Sequence, residues 1–165
     1  YWSSVQTADA AAMVSDLVRV RADPKKAEGI TQALIDKHPR TFFASEAALL
    51  SAHDAFTAGD RALAQSRLEW VLANGRDEHK GIARLRLAAV LLDLKKPAEA
   101  LQVLDGNKDE AWVAMVADLR GDILFSQGRA DEARAAYKLA IEKSDPRSPL
   151  RSVTELKLGA LGGTP

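Results

Sequence analysis

The sequence predicts an all-α protein, a solenoid of about four stacked helical hairpins closed by one C-terminal helix. Three observations carry this. Ala and Leu are abundant while aromatic residues make up only 5% of the 165 residues, a mix that suits closely packed helices better than pleated sheets. Small side chains recur along the chain at a repeat distance of one helical hairpin. Prolines, glycines and capping residues fall where such hairpins would begin and end.

The helices follow in order. The first is expected over 3–21. Asp23-Pro24 then supplies a cap and an N1 proline for a helix over 24–37. Helices are expected next over 42–58 and 60–73, with Gly59-Asp60 ending one and capping the other. Further helices are expected over 78–94 and 97–105, the latter opened by Pro97 after Lys95-Lys96, and over 110–127 and 130–143, separated at Gly128. Leu150, Val153, Leu156 and Leu161 mark a terminal helix over 149–161 that caps the stack. Gly162-Gly163-Thr164-Pro165 is read as a frayed end.

The repeat is clearest near the C-terminus. Gly121, Leu124, Ala133, Tyr137 and Ala140 place small and large residues at the eighth, eleventh, twentieth, twenty-fourth and twenty-seventh positions of a hairpin. Ala88, Leu91, Ala100 and Leu104 repeat the series upstream, as do Ala52, Ala55, Ala64 and Leu68 before them. Ser15, Val18, Ala27 and Thr31 give a degenerate first copy. Small residues at the eighth and twentieth positions let two helix backbones approach where they cross, and large ones fill the gap beside them. This is the tetratricopeptide pattern. The organisation is one domain, 1–165, with a degenerate pair at 3–39, repeats at about 42–75, 78–107 and 110–145, and the capping helix.

Lys plus Arg and Asp plus Glu both number 23, so no basic excess points to nucleic acid or to a cationic membrane-surface helix. The chain has no Cys, which removes thiol chemistry and Cys-type zinc sites and fits an oxidising compartment. No apolar run reaches the length of a membrane span. A chain that opens on Tyr1 rather than Met reads as a fragment or a processed product.

No catalytic constellation is present: the sequence has no G-x-S-x-G, no P-loop and no H-E-x-x-H. His38, His53 and His79 have no metal-pair spacing, and no metal or cofactor is expected. Asp77-Glu78, Asp109-Glu110 and Asp131-Glu132 sit at helix starts, where negative charge offsets the dipole. Arg120 is expected to form a local ion network with Asp118 and Asp122 or, alternatively, to contact a partner, and Trp70 and Trp112 to pack between hairpins.

The run Trp112-Val113-Ala114-Met115-Val116-Ala117-Asp118-Leu119-Arg120-Gly121-Asp122, followed by Gly128, Ala133-Arg134, Ala136-Tyr137 and Ala140, resembles a specific family, the YfgM-like ancillary subunits of the SecYEG translocon. Arg84-Leu85-Arg86-Leu87-Ala88 and Ala100-Leu101-Gln102-Val103-Leu104-Asp105 resemble its middle repeat. Tyr1-Trp2 looks like the aromatic pair that follows its membrane span, and such residues concentrate at membrane interfaces. The resemblance implies a non-catalytic periplasmic domain, anchored in the bacterial inner membrane by a single N-terminal span outside this sequence. It implies association with SecYEG and the periplasmic chaperone PpiD, and assistance to exported client proteins. The alternative is a tetratricopeptide scaffold for cell-envelope assembly unrelated to translocation.

On the repeat geometry the first helix of each pair lines a concave face through its second, fifth, ninth and twelfth positions. The expected protein-binding groove is Leu49, His53 and Phe56, then Ile82, Leu85 and Leu92, then Met115, Asp118, Asp122 and Phe125, with Glu46 and Ala89 completing the sets. Asp93 joins Asp118 and Asp122 on its acidic side. Such a groove suits apolar segments of a client, unless the C-terminal helix or a second copy of the chain fills it. A carboxylate clamp is not expected, since Arg86 is the lone cation in the corresponding places. The long first helix and degenerate first pair offer a surface on which a homodimer could form.

Overall fold

The computed structural model describes residues 2–163, with side chains from residue 8 onward. The side chains of the Tyr1-Trp2 pair, and Thr164 and Pro165 of the expected frayed end, lie outside the described residues. Nine α-helices follow one another among those described: α1 (Trp2–Ala22), α2 (Pro24–Lys37), α3 (Phe42–Thr57), α4 (Arg61–Asn74), α5 (Asp77–Asp93), α6 (Pro97–Asp105), α7 (Val113–Ser126), α8 (Ala130–Lys143) and α9 (Pro149–Ala160). A 3₁₀ turn, Glu110–Trp112, precedes α7 where the sequence predicted one continuous helix. None of these helices is long and apolar enough to cross a membrane.

Local chemistry explains the helix ends. The side chains of Asp23, Thr41, Asp60 and Ser148 each accept a hydrogen bond from a first-turn backbone N–H of the helix they precede, satisfying donors that have no partner within the helix. The turns α3–α4, α5–α6 and α7–α8 share one closing device. Gly59, Lys95 and Gly128 adopt φ of 87°, 63° and 76°, and the following amide donates back to Ala55, Leu91 and Leu124, respectively. Glycine enters this left-handed region without a Cβ penalty; Lys95 enters it with one.

The chain divides into two compact units, Tyr1–Ala83 and Arg84–Pro165, with the division inside α5. In the first unit α1 packs on α2 and α3, and α3 on α4. Leu17, Leu34, Ala44 and Ala47 form a core that Met13, Ile30, Phe43, Leu50 and Trp70 cover. Trp70 therefore takes its expected packing role. The degenerate first repeat requires a correction. Ser15 and Val18 are exposed, and Leu17 and Val20 take the interior of α1 instead, while Ala27 and Thr31 of α2 are buried as the pattern demands. A buried Arg67 ties α4 to α2 through Glu28 and Gln32, and Ser51 of α3 donates to the same Glu28 carboxylate at 2.8 Å.

In the second unit α7 and α8 form the tightest pair, flanked by α6 and α9. Leu124, Ala133, Ala136, Tyr137, Ile141 and Leu158 make its core, with Leu101 and Leu161 packed against it. Gly121 lies against the Tyr137 ring so closely that a Cβ there would stand 2.8 Å from the ring's Cζ. The small residues Ala88, Ala100 and Ala133 are fully buried. The recurrence of tiny side chains thus marks the helix crossings, as close backbone approach requires.

Candidate functional site

The expected groove residues separate by their position in the hairpin. The fifth positions, Leu49, Leu85 and Asp118, are all buried, with 5%, 7% and 8% of their surface exposed. They belong to the packing and expose too little to line an open wall. The twelfth positions differ: Phe56 and Phe125 are exposed, and Leu92 is half-buried. Of the second positions, Met115 is exposed, while Ile82 and Glu46 are half-buried. His53 is exposed, and Ala89 and Asp122 are half-buried.

In the first unit the α3 positions are partly engaged within the chain. Glu46 accepts from Arg21 at 3.2 Å, and its other oxygen stands 3.3 Å from Nε2 of the buried His79. The His79 ring in turn lies 5.0 Å from that of Phe42. The Arg61 guanidinium sits 5.0 Å over the Phe56 ring, a cation–π contact that leaves much of the ring's edge to solvent.

In the second unit α9 occupies two of the three residues of the expected acidic side, Asp118 and Asp122, while Asp93 is exposed. Asp118 accepts from Thr154 Oγ1 at 2.6 Å and from Lys157 Nζ at 2.8 Å. Asp122 accepts from Lys157 Nζ at 2.9 Å and from the Tyr137 hydroxyl at 2.8 Å. One ammonium thus bridges two carboxylates one helical turn apart. Burial works against the Lys157 charge, but the bonds to Asp118 and Asp122 outweigh it and raise its pKa. The Tyr137 phenol is pushed up by burial and by its bond to Asp122. The expected network of Arg120 with these two aspartates does not form. Arg120 reaches back to Asp105 at the end of α6.

The large side chains left exposed on α7 are apolar. Met115 and Phe125 expose 42% and 54% of their surface, and the two aspartates between them share the Lys157 ammonium. Among the described residues no group of three or more His, Cys, Asp or Glu side chains could hold a metal ion. Trp112 is half-buried beside the start of α7.

Sequence reasoning missed Thr154 and Lys157. The signal was available: they lie on the face of α9 that carries Leu150, Leu158 and Leu161, the face a capping helix turns inward. A polar pair within such a stripe calls for a buried partner. The Tyr137 hydroxyl, at a core position, makes the same demand.

The chain matches known proteins along nearly its whole length. A family model described as a tetratricopeptide repeat-like domain matches residues 1–163. A Neisseria gonorrhoeae protein named ancillary SecYEG translocon subunit is 30% identical over 161 residues, covering 94% of this chain and 77% of that protein. An Escherichia coli protein of the same name is 40% identical over 99 residues, or 59% of this chain and 48% of the other. A third of that name, from Aggregatibacter actinomycetemcomitans, is 31% identical over 150 residues, covering 87% and 73%.

Proposed function

This chain belongs to the tetratricopeptide-repeat family of ancillary SecYEG translocon subunits, and we propose that it serves the translocon as a membrane-anchored protein-binding module whose helical domain stands in the periplasm. The family is one of protein-interaction modules, and the chain is not an enzyme. Its proposed partners are SecYEG, the chaperone PpiD and exported polypeptides emerging beside them.

The observation that supports this reading most is the open apolar surface of α7. Met115 and Phe125 stay exposed on the first helix of a pair, the helix that repeat proteins of this kind turn toward a guest. Large apolar side chains left in water mark contact sites when they recur along one element. Lys157 has already neutralised part of the aspartate charge between them, so an apolar segment laid along α7 would meet less unpaired acid.

The test places a photo-activatable side chain at Met115 or Phe125 of the full-length protein in membranes, with Lys138 on the exposed face of α8 as control. Translocon subunits, PpiD or exported chains should be captured from the two α7 positions and not from the control. Capture of only unrelated envelope proteins would transfer the chain to the scaffold role, and no capture above control would remove α7 as the site.

A further inference from the structure

The geometry points to a second contact site, a cationic cavity of the first unit that takes the carboxylates of an acidic segment of a partner protein. It goes beyond the reading above and uses none of its residues. The cavity measures about 410 Å³ and lies at the α4–α5 turn, where Arg40, Arg76 and Lys80 converge with Asp77 and Glu78. Its three cations meet two carboxylates, a local excess of positive charge in a chain whose totals are 23 and 23.

The turn that carries the cations is held rigidly. Gly75 N donates to Val71 O at 2.8 Å, and Arg76 N donates to Oγ of the fully buried Ser45 on α3 at 3.1 Å. A Cβ on Gly75 would stand 2.6 Å from the Val71 carbonyl oxygen and 3.1 Å from that Ser45 oxygen. Only glycine permits so close an approach, and the result is a backbone clamped to two helices. Arg76 and Lys80 therefore project from a fixed frame, which lowers the ordering entropy that binding must overcome.

Two internal pairs display the chemistry. Arg76 Nε donates to Glu78, and Lys80 Nζ to Asp77, each at 2.9 Å. Both cations are thus already posed for carboxylate oxygens. The Asp77 side chain is 95% exposed and that of Glu78 is 53% exposed. The Arg76–Glu78 pair, half exposed on both sides, is weakly held, and an incoming carboxylate can exchange with Glu78. Arg40, from the turn between α2 and α3, makes no hydrogen bond or ion pair among the described residues, so its planar fork is available for bidentate recognition. A segment with successive Asp or Glu residues satisfies cations contributed by two separate stretches of chain.

The experiment measures fluorescence anisotropy of a labelled short polyglutamate peptide with the full chain at low salt, with a polyglutamine peptide as control. The glutamate peptide should bind and the glutamine peptide should not. Arg40→Glu, which breaks no internal bond, should weaken binding about tenfold, the loss of one charge-assisted contact. Arg40→Ala should weaken it less, with both variants retaining the helical circular-dichroism spectrum. Equal binding of the two peptides, or unchanged binding by Arg40→Glu, would overturn the proposal. So would Arg40-dependent binding of inorganic phosphate or phosphatidylglycerol vesicles without binding of the peptide. Capture from Met115 and Phe125 should be indifferent to Arg40→Glu, which keeps this site separable from the α7 surface.

Discussion

Replacing Gly121 by Ala tests the crossing of α7 and α8 directly. In an open helix this substitution stabilises by about 1 kcal/mol, because glycine surrenders more backbone freedom on folding. At Gly121 the added Cβ would lie 2.8 Å from Cζ of Tyr137. The ring has nowhere to retreat: it is 3% exposed, packs among Ala133, Ala136 and Leu158, and is tethered through its hydroxyl to Asp122. Overpacking of this kind costs about 1–3 kcal/mol, and a wedged ring places the cost at the upper end. After the helix gain is subtracted, Gly121→Ala should lose about 1–2 kcal/mol, a fall of about 2–8 °C in Tm. Two other hairpins place Ala and Leu at the corresponding positions, sixteen residues apart: Ala52 with Leu68, and Ala88 with Leu104. The double variant Gly121→Ala, Tyr137→Leu rewrites the last hairpin in their terms. In the Tyr137→Leu background Gly121→Ala should turn from a loss into a gain of about 0.5–1 kcal/mol, a coupling of about 2 kcal/mol in a urea-unfolding cycle. A cost that is the same in both backgrounds would refute the steric argument.

Gly29 offers the opposite sign, since it is exposed in α2 with nothing within 4 Å of a Cβ; Gly29→Ala should add about 0.8–1 kcal/mol by the same urea assay. Lys95 carries φ 63° where the other two turns use glycine, so Lys95→Gly should relieve strain and gain up to about 1 kcal/mol after the entropy of glycine is deducted. Gly128→Ala should lose about 1 kcal/mol through conformation alone, as its Cβ would meet nothing within 4 Å. Lys157→Met leaves Asp118 and Asp122 facing each other without their shared cation and should lose about 1–3 kcal/mol at neutral pH. For the unsubstituted chain, the raised pKa of Lys157 means that its contribution is complete below the unfolded value of about 10.4 and disappears as pH rises through the folded value. Tyr137 acts in the same direction, because its phenol stays protonated in the fold while the unfolded one ionises near about pH 10. The urea midpoint should therefore fall above about pH 10, and Lys157→Met with Tyr137→Phe should flatten that fall.

Much of this architecture was legible because helical hairpins are specified locally. Prolines at 24, 97 and 149 begin helices where expected, and the turn glycines at 59 and 128 take the positive φ that closes a hairpin. The small residues were legible for a steric reason, since only they allow two backbones to touch. The first repeat was less so. With Ser15 and Val18 in place of the usual pair, α1 rotates its Leu17–Val20 face inward, and a position-by-position template cannot report a rotation driven by larger apolar side chains. The pairing of Arg120 was missed for a related reason. Its two sequence neighbours, Asp118 and Asp122, were nearer in the chain, but α9 supplies a cation to both, and Arg120 extends to Asp105 instead.

The groove was the hardest part to read, and its fifth positions show why. Helical side chains lean toward the N-terminal end of their helix, so nominal position on the wheel does not settle whether an adjacent element covers a residue. Leu49 and Leu85 are simple cases, apolar and buried. Asp118 is the informative one. A carboxylate at a buried position is costly unless it is partnered, so the burial of Asp118 calls for donors from a neighbouring element. Thr154 and Lys157 meet that demand, and in doing so they decide which part of α7 stays free. The docking of α9 uses the aspartates and leaves Met115 and Phe125 bare. The same helix that completes the core of the second unit through Leu158 therefore bounds the exposed apolar side chains of α7 that are proposed to meet a guest.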